Sequence, residues 1–319
     1  MGDLVQEKRK ILIDTDAGID DAQAILVALS RPDIEVVAIT TLRGNTHARQ
    51  VSLNVLRLLK VADSLHIPVY QGADKSLLGV QTDASYYHGA DGFGDVPDPQ
   101  APDAGLIQTE GAVSAMLRLL NQYPGKLEIV ALGPLTNLAL AVRQDPAVSD
   151  KCKGCYIMGG NYEGRGNVVP CAEFNFYADP EAAFAVLNDL KCPITLVCWE
   201  TCLRYSFTWD WFGKLTSIDS AKGRFIHSID KTTLERFYHR QKEDFGYLMA
   251  DQIIMAVAVE PEIVQERKHV YCSVEVGGRY CRGQMVVDWH GFWKHEPNVQ
   301  LVTALNQQRL GEIVLSSLQ

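Results

Sequence analysis

The sequence predicts an α/β protein: an open, mostly parallel, doubly wound (Rossmann-like) sheet flanked by helices. Three observations lead there. Short β-branched apolar runs alternate with helical patterns along most of the chain. The runs are apolar throughout rather than at every second residue, as in strands covered on both faces. Carboxylates, amides and glycines gather at the C-terminal ends of these runs, where an open α/β sheet forms its ligand crevice.

In chain order, "KILIDTD" (10–16) is followed by the helical pattern "DDAQAILVALS" (20–30), and "EVVAITTLRGN" (35–45) by "ARQVSLNVLRLLKVA" (48–62). "IPVYQG" (67–72) leads into a long segment with little periodicity. "LEIVALG" (127–133) precedes the helix "PLTNLALAVRQ", and "GCYIMGG" (154–160) precedes a glycine-rich loop. A helix starts at Asp179, which offers a capping carboxylate followed by Pro180 and Glu181, and then comes the strand "PITLVCWE". Beyond residue 205 the pattern turns helical in "FIHSIDKTTLERFYHR" and "DQIIMAVAVEP", and "RYCRGQMVVDW" (279–289) reads as a hairpin or edge strand. No linker composition interrupts the chain, so residues 1–319 read as a single domain.

Bulk properties narrow the function. Hydrophobic residues make up 47%, enough for a real core. A net charge of −9 and a pI near 5.4 argue against nucleic-acid partners and against an anionic membrane surface. The N-terminus has no apolar h-region, and the eight scattered cysteines read as reduced thiols, so the expected compartment is the cytoplasm. Cys152 and Cys155 form a C-x-x-C without a matching second pair, too few ligands for a closed zinc site.

Four aspartates (Asp14, Asp16, Asp20, Asp21) fall within eight residues at the first strand–helix junction. Two unit charges ~4 Å apart repel by roughly 4 kcal/mol at an effective dielectric near 20, so the cluster needs compensation. Helix capping by Asp20 or Asp21 accounts for one or two carboxylates and leaves Asp14 and Asp16 unexplained. Hard oxygen donors at this density suit Ca²⁺ or Mg²⁺. An EF-hand is excluded, because Gly18 stands at the fifth loop position and Ile25 at the place of the closing glutamate. Asn45, Leu132-Gly133 and Met158–Asn161 end three further strands.

"DTDAGIDDAQAI" (14–25) resembles the D-x-D-x-G-x-D-D fingerprint of the inosine-uridine preferring nucleoside hydrolases, with Ala17 where that family usually has proline. The resemblance continues in order through "AITTLRGN", "HGADGFGD" (88–95), "ALGPLTNLALA", "MGG", "AEFNFYADPEAA" (172–183) and "ADQIIMAVAV" (250–259). It implies a nucleoside hydrolase-like fold and Ca²⁺-dependent hydrolysis of the N-glycosidic bond of ribonucleosides, with purine bases, pyrimidine bases or both. It also implies a homodimer or homotetramer. Residue by residue, it implies that Asp16, Asp21, the Leu132 carbonyl and Asp251 hold Ca²⁺, and that Asp20 is the general base. Asp14, Asn45, Asn167, Glu173 and Asn175 are then the ribose ligands. A ring of carboxylates and amide oxygens complements the oxocarbenium-like state of glycosyl transfer.

Residues 71–108 are a long stretch with several glycines and prolines. They are expected to form a lid whose Tyr86, Tyr87 and Phe93 stack on the base, with His88 at the substrate. Ala250 stands where many family members place a histidine that protonates the leaving base, and His88, Tyr238, His239, Tyr247 and Trp289 are the substitutes within reach. Two other readings compete: a non-catalytic nucleoside- or ribose-binding protein, and a Mg²⁺-dependent haloacid-dehalogenase-like phosphatase. The second wants Thr or Val where Gly18 stands.

Overall fold

The computed structural model describes residues 7–235 and 246–319. Strands β1 (Arg9–Thr15), β2 (Ile34–Thr41), β3 (Val69–Gln71) and β4 (Ile107–Gln108) form one half of a nine-stranded sheet. Strands β5 (Leu127–Ala131), β6 (Cys152–Met158), β7 (Ile194–Val197), β8 (Val264–Val270) and β11 (Val299–Leu305) form the other half. The order is β4-β3-β2-β1-β5-β6-β7-β11-β8, parallel except for the β11–β8 pair. Strand order therefore reverses between β1 and β5, the switch point at which such sheets open a crevice. A separate antiparallel hairpin joins β9 (Cys272–Val274) to β10 (Met285–Val287), as "RYCRGQMVVDW" suggested.

Twelve helices are described: α1 (Ile19–Leu29), α2 (Ala48–Val61), α3 (Ser85–His88), α4 (Ala112–Gln122), α5 (Thr136–Gln144) and α6 (Phe174–Ala178); then α7 (Pro180–Asp189), α8 (Trp199–Arg204), α9 (Trp209–Thr216), α10 (Ala221–Thr233), α11 (Asp251–Val259) and α12 (Gln307–Ser317). Alternation along β1 sorts them into two layers. Ile11 and Ile13 pack into the core beneath α1, α2, α11 and α12, whereas Leu12 faces the core beneath α4, α5 and α7. Asp14 shares Leu12's parity, and Asn137 of α5 reaches it. Helix α11 is buried along its whole length, so its apolar sequence has no polar face to show. Among the described residues no helix is long and apolar enough to cross a membrane.

Several elements escaped the pattern. Helix α4 buries Ala112, Ala115, Met116, Leu119 and Leu120, a helical spacing hidden beside the irregular segment before it. Strand β8, "VQERKHV", is polar because it is a solvent-exposed edge, where charges discourage pairing with another chain. All eight cysteines are free, and Cys152 and Cys155 lie buried on β6.

Candidate active site

The ends of β2, β1, β5 and β6 are adjacent in the sheet, so Asn45, Asp14 and Asp16, Leu132-Gly133 and Met158–Asn161 arrive at one place. Asp16, Asn45, Leu132 and Met158 among them border a cavity of about 370 Å³ that is also lined by Asp20, His88, Asn167, Glu173, Asn175 and Asp251, whereas Asp14 and Asp21 are not among its lining residues. Helices α1 and α11 both aim their N-terminal ends at it, and their first turns carry Asp20, Asp21 and Asp251. Partial positive charge at those ends moderates the crowding of carboxylates.

Each aspartate is held differently. Asp14 is buried; its Oδ1 accepts from Thr40 Oγ1 at 2.7 Å and Asn137 Nδ2 at 2.9 Å, while Oδ2 has no partner among the described residues. Asp16 Oδ2 accepts the Asn45 amide at 2.8 Å. Asp21 accepts from Thr15 Oγ1 and, at 2.8 Å, from the Gly18 amide, with Asn45 Nδ2 at 3.2 Å. Asp20 is the least covered, with 28% of its side chain exposed, and its Oδ1 has no hydrogen-bond partner. Two glycines make room for Asp16: a Cβ on Gly44 would lie 2.0 Å from Asp16 Oδ2, and one on Gly133 would lie 2.7 Å from Oδ1. Ala17 holds a left-handed φ of 33°, local strain of about 1–2 kcal/mol that turns the chain from β1 into α1.

Burial pushes the Asp14 carboxyl up to about 7 and the Asp20 carboxyl up to about 6. Asp16 and Asp251 lie well above the usual carboxylate range, first through burial and then through neighbouring aspartates. Oxygens of Asp20, Asp21 and Asp251 lie within 4.8 Å of one another. Three carboxylates so close, two of them buried, must bind protons or share a cation, and no thiol or imidazole belongs to the group. An all-oxygen donor set of this kind fits a hard divalent ion. Asp16 lies outside that closest triad, though its charge is felt at Asp251.

The sugar-binding candidates are brought together unevenly. Asn175 donates Nδ2 to the Leu132 carbonyl at 2.7 Å and to the Met158 carbonyl at 3.1 Å. Glu173 caps α6, accepting the amides of Asn175, Phe176 and Gly160, and also borders the cavity; burial pushes it up to about 7. Asn167 is exposed at the rim. Asn161, by contrast, is fully structural: its amide bonds Arg165, Cys171 and Met285 backbone and stitches the loop to β10.

The segment 71–108 does border the cavity, through α3 with Tyr86, Tyr87 and His88. Phe93 does not. It is fully buried in the core, edge-on to Phe225 and under Arg57, so it cannot stack on a ligand. Thr232 and Thr233 of α10 clamp the segment by donating to the carbonyls of Gly94 and Tyr87. His88 Nδ1 accepts the Ile19 amide at 3.2 Å, which leaves the proton of the neutral ring on Nε2, 3.8 Å from Asp20 Oδ1. Burial pushes His88 down to about 4. Trp289 packs against Tyr162 and Lys268 and is not among the lining residues. Tyr238 and His239 lie outside the described residues.

Among the lining residues that were not anticipated are Trp199, Gln252 and Asp230. Asp230 had a legible signal, because the buried stripe of α10 runs Ile226, Ile229, Asp230, Thr233 and places one charge on an apolar face. Trp199 stood inside the run "PITLVCWE", expected to be strand throughout, but β7 stops at Val197 and Trp199 opens α8.

Residues 11–312 match the family model described as inosine-uridine preferring nucleoside hydrolase. The chain belongs to that family. Uridine nucleosidase 1 of Arabidopsis thaliana is 34% identical over 91% of this chain and 86% of its own length. The inosine-uridine preferring nucleoside hydrolase of Crithidia fasciculata is 30% identical over 98% of both chains. A solved plant nucleoside hydrolase superposes with a TM-score of 0.88 at 32% identity, covering 97% of this chain and 98% of that one. This nucleoside hydrolase is accordingly an N-ribohydrolase acting on ribonucleosides, and the phosphatase and non-catalytic binding readings fall.

Proposed function

We propose that the protein hydrolyses the N-glycosidic bond of ribonucleosides in a Ca²⁺-dependent reaction that releases ribose and free base. The observation that carries this reading is the carboxylate trio Asp20, Asp21 and Asp251 at the sheet's switch point, with two buried carboxylate oxygens, Asp14 Oδ2 and Asp20 Oδ1, that have no hydrogen-bond partner among the described residues. Asp16, Asp21, Asp251 and the Leu132 carbonyl would hold the ion, which lowers the pKa of water at the site. Asp20 is the base. It is the most exposed of the cluster, and a carboxyl near 6 is largely ionised at neutral pH yet basic enough to take a proton from water.

Asp14, whose Oδ2 has no partner among the described residues, accepts from ribose hydroxyls, with the lining residues Asn45, Asn167, Glu173 and Asn175 as further sugar ligands and His88 flanking them. His88 flanks Asp20, its Nε2 3.8 Å from Oδ1 and beyond direct hydrogen-bond reach. The carboxylates offset the positive charge that builds on the sugar as the base departs. Tyr86, Tyr87, Trp199 and Tyr247 supply aromatic faces for the base, and the relatives' names, uridine and inosine–uridine, support both base classes. The whole chain acts as one domain; its free cysteines support a cytoplasmic setting, and the family implies a homodimer or homotetramer.

A ribose-release assay over a panel of purine and pyrimidine ribonucleosides tests the reading. Release that stops with chelator and returns with Ca²⁺ is expected. Release unaffected by chelator, or restored by Zn²⁺ and not by Ca²⁺, contradicts it.

A further inference from the structure

Asp230 is 3% exposed on the inner stripe of α10 and borders the same cavity as the aspartate cluster. Its Oδ2 accepts from the Tyr247 hydroxyl at 3.4 Å. Tyr247 is fixed in place: its backbone pairs with Phe207 through bonds of 2.8 and 2.7 Å, and its ring lies against Phe212 and Trp211. Its hydroxyl ends a directed chain of donors. The Ala250 amide donates to Gln252 Oε1 at 3.0 Å, and Gln252 Nε2 donates to Gln23 Oε1 at 3.2 Å. Gln23 Nε2 then donates to the Tyr247 oxygen at 2.7 Å, and the Tyr247 O–H points on to Asp230. A polar chain buried beneath an otherwise apolar packing layer, ending on a carboxyl in the cavity, calls for a function.

We infer that Asp230 is the acid that gives a proton to the departing base, with Tyr247 positioning it. The inference rests on the ribonucleoside reading above. As the C1′–N bond breaks, its electron pair stays with the base, and the carboxyl proton of Asp230 passes to a ring nitrogen or carbonyl oxygen of that base. Asp230 is left as a carboxylate that accepts from Tyr247. Water adds to C1′ and loses its proton to Asp20. One proton is taken up at Asp20 and one is given up at Asp230, so nucleoside and water yield ribose and base, and exchange with solvent resets both carboxyls.

The alternatives fit less well. Ala250 has no proton to give. His88, pushed down to about 4, is protonated in only about one molecule in a thousand at pH 7, and its Nε2 faces Asp20. Burial holds Asp230 up at about 7, with the Asp20 charge pushing the same way and the Tyr247 bond opposing. Among the described residues, α3, which packs against α10, brings two further ionisable groups, Tyr87 and His88, to the same cavity.

The test compares inosine and uridine with p-nitrophenyl riboside, whose phenolate leaves without a proton. In the isosteric Asp230→Asn the nucleoside rates should fall by ~10²–10⁴-fold, the usual span for a lost general acid, and the activated riboside by far less. Equal losses on both substrates, or unchanged nucleoside rates, overturn the assignment. Tyr247→Phe keeps the acid but removes a donor to its carboxylate, so the high-pH fall in nucleoside kcat should move upward. A limb that stays put, with the substrate ratio unchanged, overturns it as well and does not depend on Asp230→Asn folding. Failure here alongside chelator-sensitive cleavage by the wild type leaves the ribonucleoside reading intact; a wild type that cleaves neither substrate sinks both.

Discussion

The two ends of the cavity are built by different means. The end proposed for sugar and ion is made of strand termini: Asp16 just after β1, with Asp14 next to that strand's last residue, Asn45 after β2, and the Leu132 carbonyl after β5. The base end is made of helices and returning chain: α3, α8, α10 and residues 247–250. Strand termini have their positions set by the sheet, so a sequence that reveals the sheet also reveals the site. Helices that close over the crevice are placed by packing, and which side chain faces inward depends on contacts far apart in the chain.

Substitutions should separate the two ends. The largest effect is expected at the sugar end from Asp20→Asn: turnover falls by ~10²–10⁴-fold on nucleosides and on p-nitrophenyl riboside alike, because water activation serves both. Steady-state assays on the two substrates measure it, and selective loss on one would move Asp20 to the base end.

Gly44→Ala comes next. The new methyl would sit 2.0 Å from Asp16 Oδ2 and 2.8 Å from its Cβ, so Asp16 must move. Calcium affinity, read by titration calorimetry, should drop at least ~10-fold, the equivalent of about 1.4 kcal/mol, while circular dichroism stays that of the wild type. Unchanged affinity would remove Asp16 from the ion's ligands.

His88→Ala should cost less, roughly 10-fold, and equally on both substrates, because the ring flanks Asp20 and is almost never an imidazolium at neutral pH. A loss confined to inosine and uridine would show His88 acting on the base.

The smallest effect concerns stability. Asp230 has a folded-state pKa raised from 3.8 to about 7, so the folded protein binds more protons than the unfolded chain between those values. Its contribution is fully present below 3.8 and is lost as pH rises through about 7. The wild-type Tm should therefore fall more between pH 5.5 and 8.5 than that of Asp230→Asn, by a few degrees at ~1–2 kcal/mol. Parallel curves would mean that Asp230 is ionised throughout.

The same contrast explains what the sequence made legible. The parallel sheet followed from apolar runs, and the aspartate cluster from its spacing, because both depend on neighbours in the chain. Phe93 misled: an aromatic among glycines looked like a stacking residue, yet the packing of α10 against the loop draws it into the core. Asp230 was overlooked although helical spacing sets it beside Ile226, Ile229 and Thr233, because a charge next to such a stripe also fits its solvent-facing edge. Trp199 fell inside the expected strand "PITLVCWE", and the start of α8 there has no capping side chain to announce it.

The central claim is that Asp21 belongs to the ion and Asp20 to the water. Elemental analysis of wild type, Asp20→Asn and Asp21→Asn, each purified without chelator, tests it directly. About one calcium per chain is expected in the wild type and in Asp20→Asn, with little or none in Asp21→Asn. Zinc in place of calcium, no metal in the wild type, or equal loss of metal from both variants would contradict the account.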